Sequence, residues 1–528
     1  MTLMTVRQND NPSWIGARRS AGPRPLTALG CFAVLLTVLL KVQPALAQDT
    51  TVGLGLDPGA PQITNVAGGI TPAYGQASEN DQDWRFDFHG MVLLPLRVGL
   101  NERNGPIFVD QKKTVLHTPP VVPGSFETFE YTAVAPDPWV QLNFSYGNPI
   151  VTATVIVAAR TIANADTFFN PPDHIGVNDA FFTYRPRVHE AIHVNVNLGG
   201  FASNYGHMGE YDLGRYGTPL IARVSGVGST GTAVFDLEHD FQVVTEVGIQ
   251  GQLTKTPVGI QPAAWNGFAD PNVGSTFALH GHAALGYMGK AQLGLHYISA
   301  FAQDDRANPT TQPDGGISVF GLDARLTLGR FGHFYLGYGR TDADEARSVS
   351  GVVRVLNAAG GAGLADEYFG RDAEGRVNGA LDTFGGQYDF SLGNFLNYPK
   401  AFTGKSPDIV GSLFGIYTGT DSPITGYDDV GKFKYGMEIG YSMLSWFALA
   451  GRVDRVINNL DDDSQTHAIW TGRAVFRSDF GSQDQLVLQY SNYQSGSGVQ
   501  VKDGSPPQRD PSIDPDDHVV SLMASMWW

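Results

Sequence analysis

The sequence predicts an all-β chain that closes on itself as a transmembrane antiparallel β-barrel of roughly eighteen strands, with sixteen as the alternative count. Three observations predict it. The chain runs as segments of about ten residues that alternate apolar and polar with period two. The connections between them alternate short and long, which is how a membrane barrel handles its two ends. The apolar rows are heavy in Phe, Tyr and Trp, while the polar rows hold small residues and few of the Lys and Glu that solvate an ordinary surface. A soluble sandwich would also alternate, but its apolar rows would face a second sheet. A closed barrel satisfies every backbone donor and acceptor in lipid and leaves no edge.

Composition agrees. Charged residues make up 16% of the 528, against roughly 25% in typical domains. Gly is high at 64, and aromatics reach 11%.

Residues 1–47 read as an export signal. Arg18, Arg19 and Arg24 form a basic n-region, 26–40 an apolar run, and Ala45-Leu46-Ala47 a small-x-small cleavage site, so the mature chain is expected to begin at Gln48. The apolar run is short for a membrane span. Cys31, the one cysteine, falls inside it, so the exported chain makes no disulfides. Cleavage removes five basic residues and one acidic residue, moving the net charge from −17 to −21. Such a charge argues against a nucleic-acid partner. Residues 48–83, rich in Gly, Pro and Asn, read as a flexible leader without a plug domain, and 84–528 as the barrel. No later apolar run is long enough for a membrane helix, which excludes a helical membrane protein and leaves a barrel open.

The strands are expected near 84–98, 138–147, 150–160, 178–186, 191–200, 229–237, 241–251, 276–287, 291–301, 317–328, 333–341, 381–391, 408–418, 432–443, 446–457, 466–478, 484–494 and 518–528. The clearest is KFKYGMEIGYSM: Phe433, Tyr435, Met437, Ile439, Tyr441 and Met443 form one row, and Lys432, Lys434, Gly436, Glu438, Gly440 and Ser442 the other. Tight turns fall at Gly147-Asn148-Pro149, Met288-Gly289-Lys290, Gly329-Arg330-Phe331-Gly332 and Leu444-Ser445, with a longer one near 392–407. Long polar connections are expected at 101–136, 161–177, 201–228, 252–274, 302–316, 342–379 and 495–516.

The chain ends on HVVSLMASMWW. Val520, Leu522, Ala524 and Met526 alternate toward the terminal aromatic Trp528. With this closing strand the sequence resembles Gram-negative outer-membrane porins, as architecture over nearly the whole mature chain. The resemblance implies an outer-membrane location, contact with lipid and lipopolysaccharide, a closing segment read by the barrel-assembly machinery, and a homotrimer. The usual last residue in that family is Phe, and Trp528 stands in its place. Passive passage of small hydrophilic solutes is the activity implied, with no cofactor. A substrate-specific or hydrophobic-solute transporter barrel and a secreted β-sandwich binding protein are the alternatives.

By strand count the connection at 201–228, between the fifth and sixth strands, takes the place of the loop that folds inward in the general porins the chain resembles, with an ordinary surface loop as the alternative. It carries Tyr205, Tyr211 and Tyr216 beside Glu210, Asp212, Arg215 and Arg223. Opposed acids and arginines across a narrow gap set a transverse field that sorts solutes by charge. Charges on the inferred inner rows are Arg85, Asp87 and Arg97, Arg160, Glu246, Asp323 and Arg325, Arg452 and Asp454, and Arg473 and Arg477. Facing lipid near midplane each would cost roughly 2–4 kcal/mol, so they are expected to point inward.

His280 and His282 share a strand face and His296 faces the same way on the next strand, a geometry zinc accepts. No carboxylate or cysteine completes the set in sequence, so these are expected to line the wall. Acidic runs at Asp461-Asp462-Asp463 and at Asp510, Asp514, Asp516 and Asp517 are expected to be solvated loops rather than divalent-cation sites. No nucleophile elbow, HExxH or phosphate loop is present, and an enzyme is not expected.

Overall fold

Period-two alternation decides which face each strand shows, and the turn residues decide how strands join. The structure, a computed structural model, describes residues 84–99, 129–130, 140–159, 175–204, 222–238, 241–253, 275–288, 290–302, 315–346, 353–355, 372, 377–396, 407–424, 430–457, 460–461, 466–478, 484–495 and 517–527. All of them belong to one unit, Thr50–Trp528. The expected export signal and leader lie outside the described residues.

Eighteen strands of this unit form one antiparallel ring. They are β1 (Arg85–Gly99), β2 (Val140–Gly147), β3 (Val151–Ala159), β4 (Ile175–Tyr184), β5 (Ile192–Asn204), β6 (Ala222–Glu238), β7 (Phe241–Leu253), β8 (Ser275–Tyr287), β9 (Ala291–Ala302), β10 (Gly315–Thr327), β11 (His333–Ala346), β12 (Val377–Ser391), β13 (Asp408–Asp421), β14 (Gly431–Leu444), β15 (Phe447–Ile457), β16 (Thr466–Ser478), β17 (Asp484–Ser495) and β18 (Asp517–Trp527). Each pairs with the next. β1 closes the ring, pairing β2 from Arg85↔Gly147 to Val92↔Val140 and β18 from Met91↔Trp527 to Gly99↔Val519. Three short segments add to it: Phe129–Glu130 on β1, Arg187–His189 on β5 and Val353–Val355 on β6. The two-sheet sandwich alternative is thereby replaced by a single sheet without a free edge.

Burial separates the two faces. On the concave side of a ring, side chains crowd together; on the convex side they splay apart. On β14, Lys432, Lys434, Glu438 and Ser442 are buried while Tyr435, Met437, Ile439 and Tyr441 are exposed. The buried row is therefore the inner face, and the exposed apolar row is the outer face. This is the reverse of a soluble protein, and water does not favour such an outer surface; hydrocarbon does. Aromatics band it. Near the short turns lie Trp84 and Tyr146, Phe241 and Tyr287, Phe331 and Phe395, and Trp446 and Phe476, with ring centroids 5.3, 4.8, 5.7 and 6.4 Å apart. Toward the long connections stand Tyr297, Phe320, Phe384, Tyr417, Tyr435, Trp470 and Tyr490, also exposed. Leu295, Leu413, Met437, Ile439, Leu449 and Leu488 fill the outer face between them.

The short turns have local causes. Asn148 Oδ1 accepts from the N–H groups of Ile150 and Val151 at 2.9 and 2.8 Å. A Cβ on Gly147 would lie 2.2 Å from the Val151 carbonyl oxygen, so only glycine fits there. Beside it, at the turn after β4, Arg185 donates to Thr152 Oγ1 (3.2 Å), and burial lowers its pKa. Gly332 holds φ at 98°, in the region that favours glycine. The longer turn after β12 contains a helical turn, Leu392–Phe395. Ser391 caps it through Asn394 N–H (2.9 Å), and Asp408 accepts from Ser391 Oγ (2.5 Å) and Gly393 N–H (2.7 Å).

Several strands run beyond the sequence expectation at the long-connection end. β5 and β6 take in 201–204 and 222–228, and β11 and β12 take in 342–346 and 377–379. These extensions mix small, polar and scattered apolar residues and so lack a clear apolar row. Cross-strand hydrogen bonding continues there because, above the lipid, nothing requires an apolar outer face.

Candidate inner-wall sites

Inside the ring the polar rows hydrogen-bond across strands: Ser145 to Thr154 at 3.0 Å, Thr183 Oγ1 donating to Asn197 Oδ1 at 2.8 Å, and Thr471 to Ser491 at 3.1 Å. Two charged sectors interrupt them.

The first spans β14–β17. Register sets Glu438 opposite Arg452. Arg452 forks onto Asp454 with two 2.7 Å bonds and reaches Glu438 Oε2 at 3.4 Å. Arg473 donates to both Glu438 oxygens at 3.1 and 3.2 Å and to Gln489 Oε1 at 2.7 Å. The Phe414 ring forms a floor, 4.9 Å from the Arg452 guanidinium and 5.6 Å from Lys434 Nζ. Lys432 and Lys434 are fully buried. Of this sector, the sequence reading singled out Arg452, Asp454 and Arg473. The alternation places Lys432, Lys434 and Glu438 on the wet row of their strand without giving them a role. Register sets Glu438 opposite Arg452, and the Arg473 side chain reaches the same carboxylate from the strand beyond.

The second spans β7–β10. Glu246 stands opposite His282, His282 opposite His296, and His296 opposite Gly321, so one rung crosses four strands. Asp323 faces Gly294, one diagonal step from His296. His282 Nε2 and His296 Nδ1 lie 3.3 and 3.6 Å from the same atom, Asp323 Oδ2. Asp323 thus lies beside both histidines, while among the described residues no three His, Cys, Asp or Glu groups could hold a metal ion. Asp323 sits on the strand after His296, and strand tilt carries it sideways to the histidines. His280, one pair further along, lies over Gly248, where an added Cβ would be 2.0 Å from the ring.

The remaining sequence-predicted residues are spread along the ring. Arg85 is exposed at the short-turn end of β1, and Asp87 pairs with His89 at 3.0 Å. Arg325 lies with its guanidinium 6.0 Å from the Tyr335 ring. Arg160, Glu210, Tyr211, Asp212, Arg215 and Tyr216 fall outside the described residues, as do Trp528 and all of the acidic runs except Asp461 and Asp517. Leu522, Ala524 and Met526 lie on the outer row of β18. Arg223 falls in β6, not in a free loop: its backbone is opposite Asn204 on one side and Arg354 on the other. Val353–Val355 belongs to the connection between β11 and β12, so this pairing reaches past β7–β10 to join two long connections.

No protein family's sequence profile matches the chain, and no curated protein does. Among solved structures, the chain is similar to the outer membrane channel DcaP of Acinetobacter baumannii, at 12% identity over 85% of this chain and 99% of that one, with a TM-score of 0.42. It is also similar to the outer membrane protein opdK from Pseudomonas aeruginosa, at 10% identity over 85% and 99%, TM-score 0.38. A third similarity is to an anion-selective porin from Comamonas acidovorans, at 8% identity over 84% and 100%, TM-score 0.37.

Proposed function

We propose that the chain is a Gram-negative outer-membrane channel for passive diffusion of small hydrophilic solutes. The observation that supports this best is the two-faced ring of eighteen strands, apolar and banded with aromatics outside, polar and charged inside. A ring of this size is wide enough for an aqueous bore. The polar inner face disfavours a hydrophobic-solute transporter.

In the β14–β17 sector Lys432, Lys434, Arg452 and Arg473 stand with Glu438 and Asp454 on the inner rows. These groups are shielded from water, so they act on a passing solute through their field, which a low dielectric strengthens. The connection between β5 and β6, with Glu210, Tyr211, Asp212, Arg215 and Tyr216, and with Arg223 just inside β6, narrows the path. The pairing of Val353–Val355 with β6 beside Arg223 supports placing that constriction at the long-connection end.

Single-channel recording in planar bilayers under a KCl gradient tests this reading. Stable ohmic steps are expected, and the sign of the reversal potential gives the selectivity. A folded, inserted preparation that conducts nothing would remove the channel proposal. Replacing Arg215 and Arg223 together with Ala is expected to change conductance and selectivity; unchanged values would remove the constriction.

A further inference from the structure

On the outer face one arginine stands without a counter-charge. Arg455 is exposed on the lipid-facing row of β15, and the register sets it opposite Tyr435 on β14 and Ala468 on β16. Among the described residues its guanidinium makes no hydrogen bond, ion pair or ring contact. Arg340, on the outer row of β11, is instead held by Asp342 and Asp382. A bare cation against hydrocarbon is costly, so the height of Arg455 matters. Phe447, beside Trp446 in the lower aromatic band, starts the same strand. At about 3.3 Å per residue and a tilt of about 40°, Arg455 stands roughly 20 Å above it along the membrane normal. The apolar band of such a barrel is about 25 Å tall, and the arginine stem spans the remainder. The guanidinium therefore lies among the headgroups at the long-connection end, which faces the outer leaflet.

Below Arg455 the wall is bare. Gly451, on the same outer row, pairs with Gly472 on β16, and Val453 alone stands between Gly451 and Arg455 on that row. Both glycines are exposed, and a Cβ added to either would meet no heavy atom within 4 Å. Ile439 and Tyr490 flank the pair across the sheet, and Leu449 and Trp470 stand along the strands, all exposed. Two unfilled positions side by side leave a shallow apolar groove about 10 Å wide.

We propose that this face of β14–β17 holds one phosphorylated glycolipid of the outer leaflet, with a phosphate on Arg455 and an acyl chain over Gly451 and Gly472. Charge complementarity fixes the occupant. A guanidinium bonds a phosphate through two parallel N–H donors, and the lipid brings the counter-charge that the protein does not supply. An acyl chain running from that headgroup into the bilayer passes over the glycines, where side chains would otherwise hold it off. The site rests on the outer-membrane placement of the barrel and stands whatever solute crosses the bore.

The test uses full-length protein purified in detergent and washed free of lipid. It is titrated with lipid A that carries its phosphates or has been stripped of them, and bound lipid is counted by native mass spectrometry. One phosphorylated lipid A held per chain is expected, with the phosphate-free lipid weaker by about tenfold or more. Arg455→Gln is expected to weaken the phosphorylated lipid about tenfold, and Arg340→Gln to leave it unchanged. Gly451→Leu with Gly472→Leu, which fills the groove, is expected to weaken both lipids. Equal binding of the two lipids by the unaltered chain, equal losses for the two arginine variants, or undiminished binding with the groove filled would each overturn the site. So would a lipid-free oligomer that the leucine pair dissociates, because the groove would then belong to a second copy of the chain. The comparison of the two lipids on the unaltered protein needs no variant to fold. Lipid counts and conductance are read separately, so this site can fail with the channel intact.

Discussion

Among the described residues, each face of the barrel carries an arginine–carboxylate network, two arginines with two carboxylates inside and one arginine with two carboxylates and a tyrosine outside. Inside, Arg452 and Arg473 share Glu438, and Arg452 also grips Asp454; the arginine side chains are 2–3% exposed. Outside, Arg340 reaches Asp342 at 3.0 Å and Asp382 at 2.9 Å, Tyr338 donates to Asp382 at 2.7 Å, and the arginine is 42% exposed. The bond lengths are alike and the surroundings are not. A sealed network has no water to replace a lost partner, whereas an exposed one does. Position along the strand explains why the second is tolerated on an outer row. Tyr338 and Phe384 face each other in the aromatic band, and Arg340 opposite Asp382 lies one step beyond it, where hydrocarbon ends.

The largest effect should come from breaking the inner network. Glu438→Ala leaves two buried guanidinium groups without their shared carboxylate, and removing one partner of a buried ion pair costs about 3–5 kcal/mol. The urea midpoint in detergent should fall accordingly. A midpoint equal to that of the unaltered protein would mean that water reaches these arginines. The adjacent residue probes the other face of the same strand. Ile439→Arg places a cation against lipid and should cost about 2–4 kcal/mol in a bilayer, since Ile439 lies midway along β14. The penalty should shrink in a loose detergent micelle. Glu438 and Ile439 are neighbours in the chain, so the pair separates a face effect from a position effect.

Much of this was legible because alternation is a local signal. The row Lys432, Lys434, Glu438 and Ser442 could be called wet from the sequence alone, and so could Asp323 and His296. Which of them touch was not legible. Contact across strands depends on register, and register follows from turn length and strand tilt. The tilt brings Asp323 to His282, two strands away, although nothing in the spacing of 282, 296 and 323 says so. The extensions of β5, β6, β11 and β12 were missed for the opposite reason: they are strands with no apolar row to announce them.

A smaller perturbation tests what supports the inner network. At Gly436 an added Cβ would sit 2.4 Å from Phe414 Cζ and 2.7 Å from the Val453 carbonyl oxygen. The carbonyl belongs to the backbone and cannot swing away, and Phe414 is the floor beneath Arg452 and Lys434. Gly436→Ala should therefore cost about 1–3 kcal/mol by overpacking. Combined with Glu438→Ala, it should cost less than the sum of the two, because the floor matters only while the ions it supports are held in place. Full additivity in urea titrations would separate Phe414 from the network.

The smallest effect belongs to Arg340→Ala. The network it breaks is about as short as the inner one, and a count of hydrogen bonds would rank the two together. Solvent makes the difference. Water replaces the lost bonds to Asp342 and Asp382, and exposed pairs contribute only about 0–1 kcal/mol. The two remaining carboxylates repel each other weakly, and that repulsion is screened within about 10 Å at 0.1 M salt. The destabilisation should thus be small in dilute buffer and vanish on adding salt, whereas that of Glu438→Ala should persist, because salt does not enter a sealed wall. Unfolding midpoints of both variants across a salt series make the comparison directly. A large, salt-insensitive loss for Arg340→Ala would mean that lipid, not water, surrounds the outer network, and would move the hydrocarbon boundary up β11.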